Sequence, residues 1–159
     1  MKEEKFHIDL VQLEGIQVIS ATLDNKEGVK AIDKDSYEIA FHYELIPGIS
    51  IRSKQIRITA DYDIRAAKSG TAEAIVTSKY RIAFLFSIAN MEELVKLEHP
   101  EIEVDEEMLS SIMNISYSTS RGILYTRYLG TVLDGFILPV IATADLFTSA
   151  VKAMPAKKE

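Results

Sequence analysis

The stretch Ile56-Arg57-Ile58-Thr59-Ala60-Asp61-Tyr62-Asp63-Ile64-Arg65-Ala66 constrains the fold most, because every even position is apolar and every odd one polar. A helix would scatter those apolar residues around its circumference, whereas a strand puts them all on one face. Tyr37, Ile39, Phe41, Tyr43 and Leu45 alternate with Glu38, Ala40, His42 and Glu44 in the same way. From Ala72 to Ile88 one face carries Ala74, Val76, Tyr80, Ile82, Phe84, Phe86 and Ile88. The opening stretch, Phe6 to Leu23, is also strand-like, with a change of phase between Leu10 and Val11 that a bulge would explain. Pro47-Gly48 and Ser69-Gly70 read as the turns between the second and third and the third and fourth strands. The expectation is a four-stranded antiparallel sheet, longest at its first and last strands, with one strongly apolar face that needs a cover.

The cover follows in the chain. Leu97 to Glu107 is acidic, contains Pro100, and reads as a linker ending at a helix cap, Asp105. From Met108 to Tyr128 the spacing turns helical, with a stripe of Leu109, Ile112, Met113, Ser116, Ser120, Ile123, Leu124 and Arg127. Its small middle, Ser116 and Ser120, permits close approach of another element. Gly122 weakens the helix locally, and Gly130 ends it. Thr131 to Ala142 reads as an extended segment interrupted by Asp134-Gly135. A short second helix is expected from Thr143, with Asp145 in its first turn, Lys152 in its last and Pro155 as its stop. Leu146, Phe147, Ala150, Val151 and Met154 form its apolar stripe. The fold class is thus α+β: one domain over residues 1–154, with 155–159 a disordered tail.

Composition narrows the function. With 159 residues, 47% of them apolar, the chain suits one folded domain rather than a disordered one. Its net charge of −6 argues against nucleic acid as a partner. Cysteine is absent, which removes disulfides, thiolate catalysis and thiolate metal sites. The charged start, Met1 to Lys5, and the short apolar run Phe136 to Ala142 point to a cytoplasmic protein with no secretory signal and no membrane insertion.

Chemistry is sparse. No nucleophile elbow, phosphate loop, dinucleotide fingerprint or zinc-protease motif is present. Ser149-Ala150-Val151-Lys152 matches S-x-x-K only formally. Glu38, His42 and Glu44 share one face of the second strand, where they would form a solvated polar surface more readily than a metal or proton-transfer site. His7 falls on the polar side of the first strand and His99 in the acidic linker. Glu98, Glu101, Glu103, Asp105, Glu106 and Glu107 suit a solvated linker and a helix N-terminus rather than a cation site. No catalytic residue, metal or cofactor is expected, and the chain does not read as an enzyme. What remains is apolar surface. Tyr37, Phe41, Tyr43, Phe84, Phe86, Phe136 and Phe147 carry more aromatic area than two helices need to bury, which points to oligomer contacts or an apolar groove.

From Phe6 to about Phe147 the chain resembles the SecB family of export chaperones and its SecB-like relatives. Phe6-His7-Ile8 is similar to the family's phenylalanine-led first strand, and Leu85-Phe86-Ser87-Ile88-Ala89-Asn90 to its strand-ending I-F-S-I-A-G. Gly130-Thr131, Leu138-Pro139-Val140 and Leu146-Phe147 resemble the glycine after the long helix and the segment that follows it. The resemblance implies a four-stranded antiparallel sheet with two helices, assembled as a homotetramer, a dimer of dimers. Sheets join across each dimer and long helices pack between dimers, which would use the small positions Ser116 and Ser120. It also implies ATP-independent binding of unfolded client polypeptides in apolar grooves, at Ile39, Phe41 and Tyr43 of the second strand and Phe136 and Phe147 around the second helix.

The sequence departs from the family in four places. It has no tryptophan before the second strand, and Ala142-Thr143 replaces an asparagine–phenylalanine pair. Lys157 and Lys158 make a basic tail without counterpart. Export members dock the SecA motor through acidic positions that here are Gly15, Ile19, Thr77 and Lys79, so the resemblance implies SecA as a partner and these four residues argue against it. A diverged holdase for a dedicated client, such as an antitoxin, fits these departures better than a general export factor. The alternative is a hot-dog-like small-molecule-binding domain or enzyme, against which the helix after all four strands counts.

Overall fold

The computed structural model describes residues 6–98 and 101–153. Its main sheet comprises β1 (Val11–Asn25), β2 (Tyr37–Ser50), β3 (Gln55–Lys68) and β4 (Ala74–Ile88). All neighbours are antiparallel and the order is β1-β4-β3-β2, so the first strand crosses to the far side of the fourth. β3 realises its alternation fully: Ile56, Ile58, Ala60, Tyr62, Ile64 and Ala66 are all buried.

One of the two expected turns lies elsewhere. β2 continues through Pro47-Gly48, with Pro47 opposite Ile58, and the reversal comes at Ile51–Lys54, where Lys54 takes a φ of 53°. An edge strand accepts proline because its outer N–H positions need no partner. Ser69-Gly70 does turn the chain, with Gly70 at φ 81°. At the start, Ile8–Leu10 is a 3-10 turn and His7 precedes it, so the phase change at Leu10 marks the entry to β1 rather than a bulge. The register shifts instead between Leu13 and Gly15 and between Val18 and Ser20. Those two shifts keep Val11, Leu13, Ile16, Val18, Ala21 and Leu23 opposite Ile88, Phe86, Phe84, Ile82, Tyr80 and Ser78. The apolar face thus continues from β4 onto β1.

The acidic stretch is not a plain linker. A helical turn, α1 (Met91–Leu94), leads into a two-stranded hairpin of β5 (Val95–Glu98) and β6 (Glu101–Val104). Asp105 then caps α2 (Glu106–Tyr128): its Oδ1 accepts from the Met108 N–H at 2.9 Å. α2 lies across β3 and β4 and buries Leu109, Ile112, Met113, Ser116, Ser120 and Leu124 of the expected stripe, while Arg127 stays exposed. Gly130 follows at φ 72°. The next segment opens with turns, Asp134 N–H to Thr131 O and Phe136 N–H to Leu133 O, before it extends. α3 (Thr143–Ala153) packs on α2 and β2, burying Leu146 and Ala150 but leaving Val151 exposed. His99, Pro100, Met154, Pro155 and the tail 155–159 lie outside the described residues. No helix among the described residues is long and apolar enough to cross a membrane.

Candidate functional site

The sheet has two free edges, and each carries apolar surface. On β2, where the short α3 rather than the long α2 is the main cover, Tyr37, Ile39, Phe41 and Tyr43 project from the core face but are only half buried. Backbone parity adds a second property. The Tyr37 N–H donates away from the sheet, to Asp33 O at 3.1 Å, while Ser36 O accepts on the β3 side from Ser69 N–H. Since successive residues of a strand direct their backbone groups to opposite edges, Ile39, Phe41 and Tyr43 turn theirs outward as well. Pro47 has the same parity, which is why its missing N–H leaves the ladder intact. Among the described residues, no other hydrogen bond reaches the outer edge of Ile39, Phe41 or Tyr43.

Beside this edge runs a groove of about 550 Å³, lined by Ile32, Tyr37, Ile39, Leu133, Phe136 and Ile137, with Lys34 and Asp134 also at its wall. One wall is the loop before β2, tied down by Ile32 N–H to Val132 O (3.2 Å) and by the Asn25 amide, which both donates to and accepts from the Val29 backbone. The other wall is the turn after α2, where Phe136 packs edge-on against Tyr128 at 6.2 Å. Ile39 and Phe136 are therefore brought together. Phe41 stacks on Tyr43 (6.2 Å), which meets Tyr117 of α2 at 5.5 Å. Phe147 is half buried on α3, against the core but outside the groove lining. Ile32, Leu133 and Ile137 were not singled out from the sequence, whereas Tyr37 was named among its surplus aromatic residues. Tyr37 shares the parity of Ile39 and was legible; the others arrive by chain reversal.

The two small positions of α2 face inward. Ser116 and Ser120 are fully buried within the protomer, and each hydroxyl donates to the carbonyl one turn back, Ile112 O and Ser116 O, at 2.9 Å. They let α2 sit close to its own sheet. Around them lie buried tyrosines: burial raises the Tyr62 phenol pKa, and pushes Tyr117 and Tyr128 up to about 12. Tyr128 shares a hydrogen bond of 2.8 Å with Ser78.

On the opposite, polar face, Glu38, His42 and Glu44 are exposed. His42 stands across from Asp63 and Glu44 across from Asp61. Asp61 is held by a two-point contact with Arg81, both distances 2.7 Å, and Asp63 by one with Arg65. The Arg65 guanidinium lowers the Asp63 carboxyl below its ordinary pKa. Among the described residues no group of three or more histidine, aspartate or glutamate side chains is placed to hold a metal ion.

The other free edge is β1. Leu13, Ile16 and Leu23 lie on its core-side face yet are 37%, 45% and 41% exposed, because the helices pack mainly over β2, β3 and β4.

This architecture is SecB-like. It is similar to the solved structure of the Mycobacterium tuberculosis Rv1957 SecB-like chaperone in complex with a ChAD peptide from the Rv1956 HigA1 antitoxin, with a TM-score of 0.58. The match covers 84% of this chain and 92% of that one at 12% sequence identity, so the likeness is one of fold. No protein-family model and no curated protein matches the sequence.

Proposed function

We propose that this protein is an ATP-independent holdase chaperone that binds unfolded polypeptides along β2 and the adjoining groove. One observation carries the reading: the alternate residues Ile39, Phe41 and Tyr43 offer apolar side chains and, among the described residues, unpaired outer backbone groups from the same positions. An extended client satisfies both at once, because its own backbone completes the edge while its apolar side chains enter the groove. Burial contributes about 25 cal/mol per Å², so affinity accumulates over many weak contacts rather than one deep pocket. Such binding needs no catalytic group, cofactor or nucleotide. Phe136 and Phe147 extend the apolar surface beyond the strand.

The second free edge supports a homo-oligomer. Two copies joined along β1 would continue both sheets and cover Leu13, Ile16 and Leu23, giving the dimer from which a dimer-of-dimers tetramer is built. Since Ser116 and Ser120 are occupied within the protomer, contacts between the long helices would fall to the outer face of α2 around Asn114, Ser118 and Gly122. Several grooves on one assembly raise avidity for a long client. The solved neighbour holds a peptide from an antitoxin, and we assign this chain a dedicated client of that kind in the cytoplasm rather than SecA-linked export. Native mass measurement combined with aggregation assays tests this. The reading expects about four chains per particle and suppression of aggregation of a denatured protein without nucleotide; a monomer with no effect on aggregation would refute it.

A further inference from the structure

The segment joining the groove to α3 is held in an unusual way. Ile137, Pro139 and Val140 are exposed, Ile137 and Val140 by 53% and 79%, and only Leu138 is buried. Among the described residues, just two hydrogen bonds reach residues 137–141, and both come from side chains of α2. The Tyr117 hydroxyl donates to Pro139 O at 2.9 Å, and Arg121 Nε donates to Leu138 O at 2.9 Å. Tyr117 and Arg121 stand one helical turn apart, so the pair grips consecutive carbonyls of a connector that is otherwise anchored only by the side chains of Leu138 and Ile141 among the described residues.

The two ends of that connector are suited to movement. Gly135 at φ 83° precedes it and α3 begins just after it, while Phe136 and Ile137 at its head form the outer wall of the groove. Tyr117 also touches the client-facing strand, since its ring packs against Tyr43. One residue therefore contacts β2 with its ring and the connector with its hydroxyl.

We propose that Tyr117 and Arg121 are a latch that fixes the connector 137–142, and that its release widens the groove beside β2 to admit bulky client side chains. This rests on the reading of that groove as the client site. A large side chain on Phe41–Tyr43 displaces the Tyr117 ring, the Pro139 bond is lost, and the Phe136–Ile137 wall swings outward about Gly135. Tyr117 and Arg121 act as positioning residues: the client meets the Tyr117 ring, and Arg121 works only through the connector.

Because the chain has no cysteine, spin labels can be placed specifically at Val140→Cys and Arg127→Cys, both exposed and outside the Asn114–Ser118–Gly122 contact. Labelled chains diluted into unlabelled protein report the distance between connector and α2 within one protomer. In that background Tyr117→Phe, which keeps the ring, and Arg121→Ala should each add a longer-distance population. Each should also speed association and dissociation of a fluorescein-labelled extended peptide rich in leucine and phenylalanine, by about fivefold for one lost hydrogen bond. Unchanged distances in both variants overturn the latch, and changed distances with unchanged peptide rates overturn its role in admission. Wild-type protein that binds no peptide removes the client reading itself, and the distances then distinguish that failure from a latch that never forms.

Discussion

Asp105 fixes the start of a helix of 23 residues by accepting one backbone N–H, and its role was legible from its place before the first apolar stripe. Asp105→Ala should cost about 1 kcal/mol, seen as a lower midpoint in a denaturant melt with an unchanged slope. Phe41 was legible as an apolar strand position, but its half burial was not, because periodicity reports which face a residue occupies and not how far a helix reaches over it. Phe41→Asp should weaken client binding at least tenfold, since full burial of such a side chain is worth about 1.5–3 kcal/mol, while leaving the oligomer intact by native mass. Ser116 and Ser120 show the same limit from the other side: a small-residue stripe does not say whether its own sheet or another copy approaches it. The buried tyrosines make a pH prediction. Their neutral form is favoured in the fold, with Tyr117 and Tyr128 at about 12 against 10 when unfolded. Their stabilisation is complete below pH 10 and disappears as pH rises through about 12. Thermal melts should therefore drop steeply across that alkaline window, together with the rise of tyrosinate absorbance; a flat response there would contradict the burial.

At the scale of elements, β3 was read directly from sequence because it lies inside the sheet and keeps its own two-residue period unbroken from Ile56 to Ala66. β1 was harder. Its apolar residues recur at intervals of two and three, which looks like lost alternation until two register shifts restore one face. The Pro47-Gly48 pair resembled a turn, yet outward parity makes proline harmless there. The β5–β6 hairpin was concealed because four-residue strands are too short to show a period against a run of glutamates. Since the apolar face of β1 is half exposed, Ile16→Lys should split the assembly into smaller particles without lowering protomer helix content. A lysine on a strand edge discourages pairing with another chain. Sedimentation and far-ultraviolet circular dichroism decide this: an unchanged particle size would place the oligomer contact elsewhere.

Across the whole molecule, one sheet is covered on one face by two helices and left open at both edges. The first edge offers a continuous apolar face suited to a copy of itself, and the second offers a groove suited to an extended chain. The polar face carries the Asp61–Arg81 and Asp63–Arg65 pairs and the exposed Glu38, His42 and Glu44, and so presents charge rather than apolar surface. Function should therefore segregate by face. The most direct test places a photo-crosslinking benzoyl-phenylalanine at Ile39 or Phe41, and separately at Glu38 or His42, and presents a reduced, alkylated protein that cannot refold, without nucleotide. Crosslinks to the client are expected from Ile39 and Phe41 and none above background from Glu38 and His42; equal crosslinking from both faces, or none from either, would contradict client binding along β2.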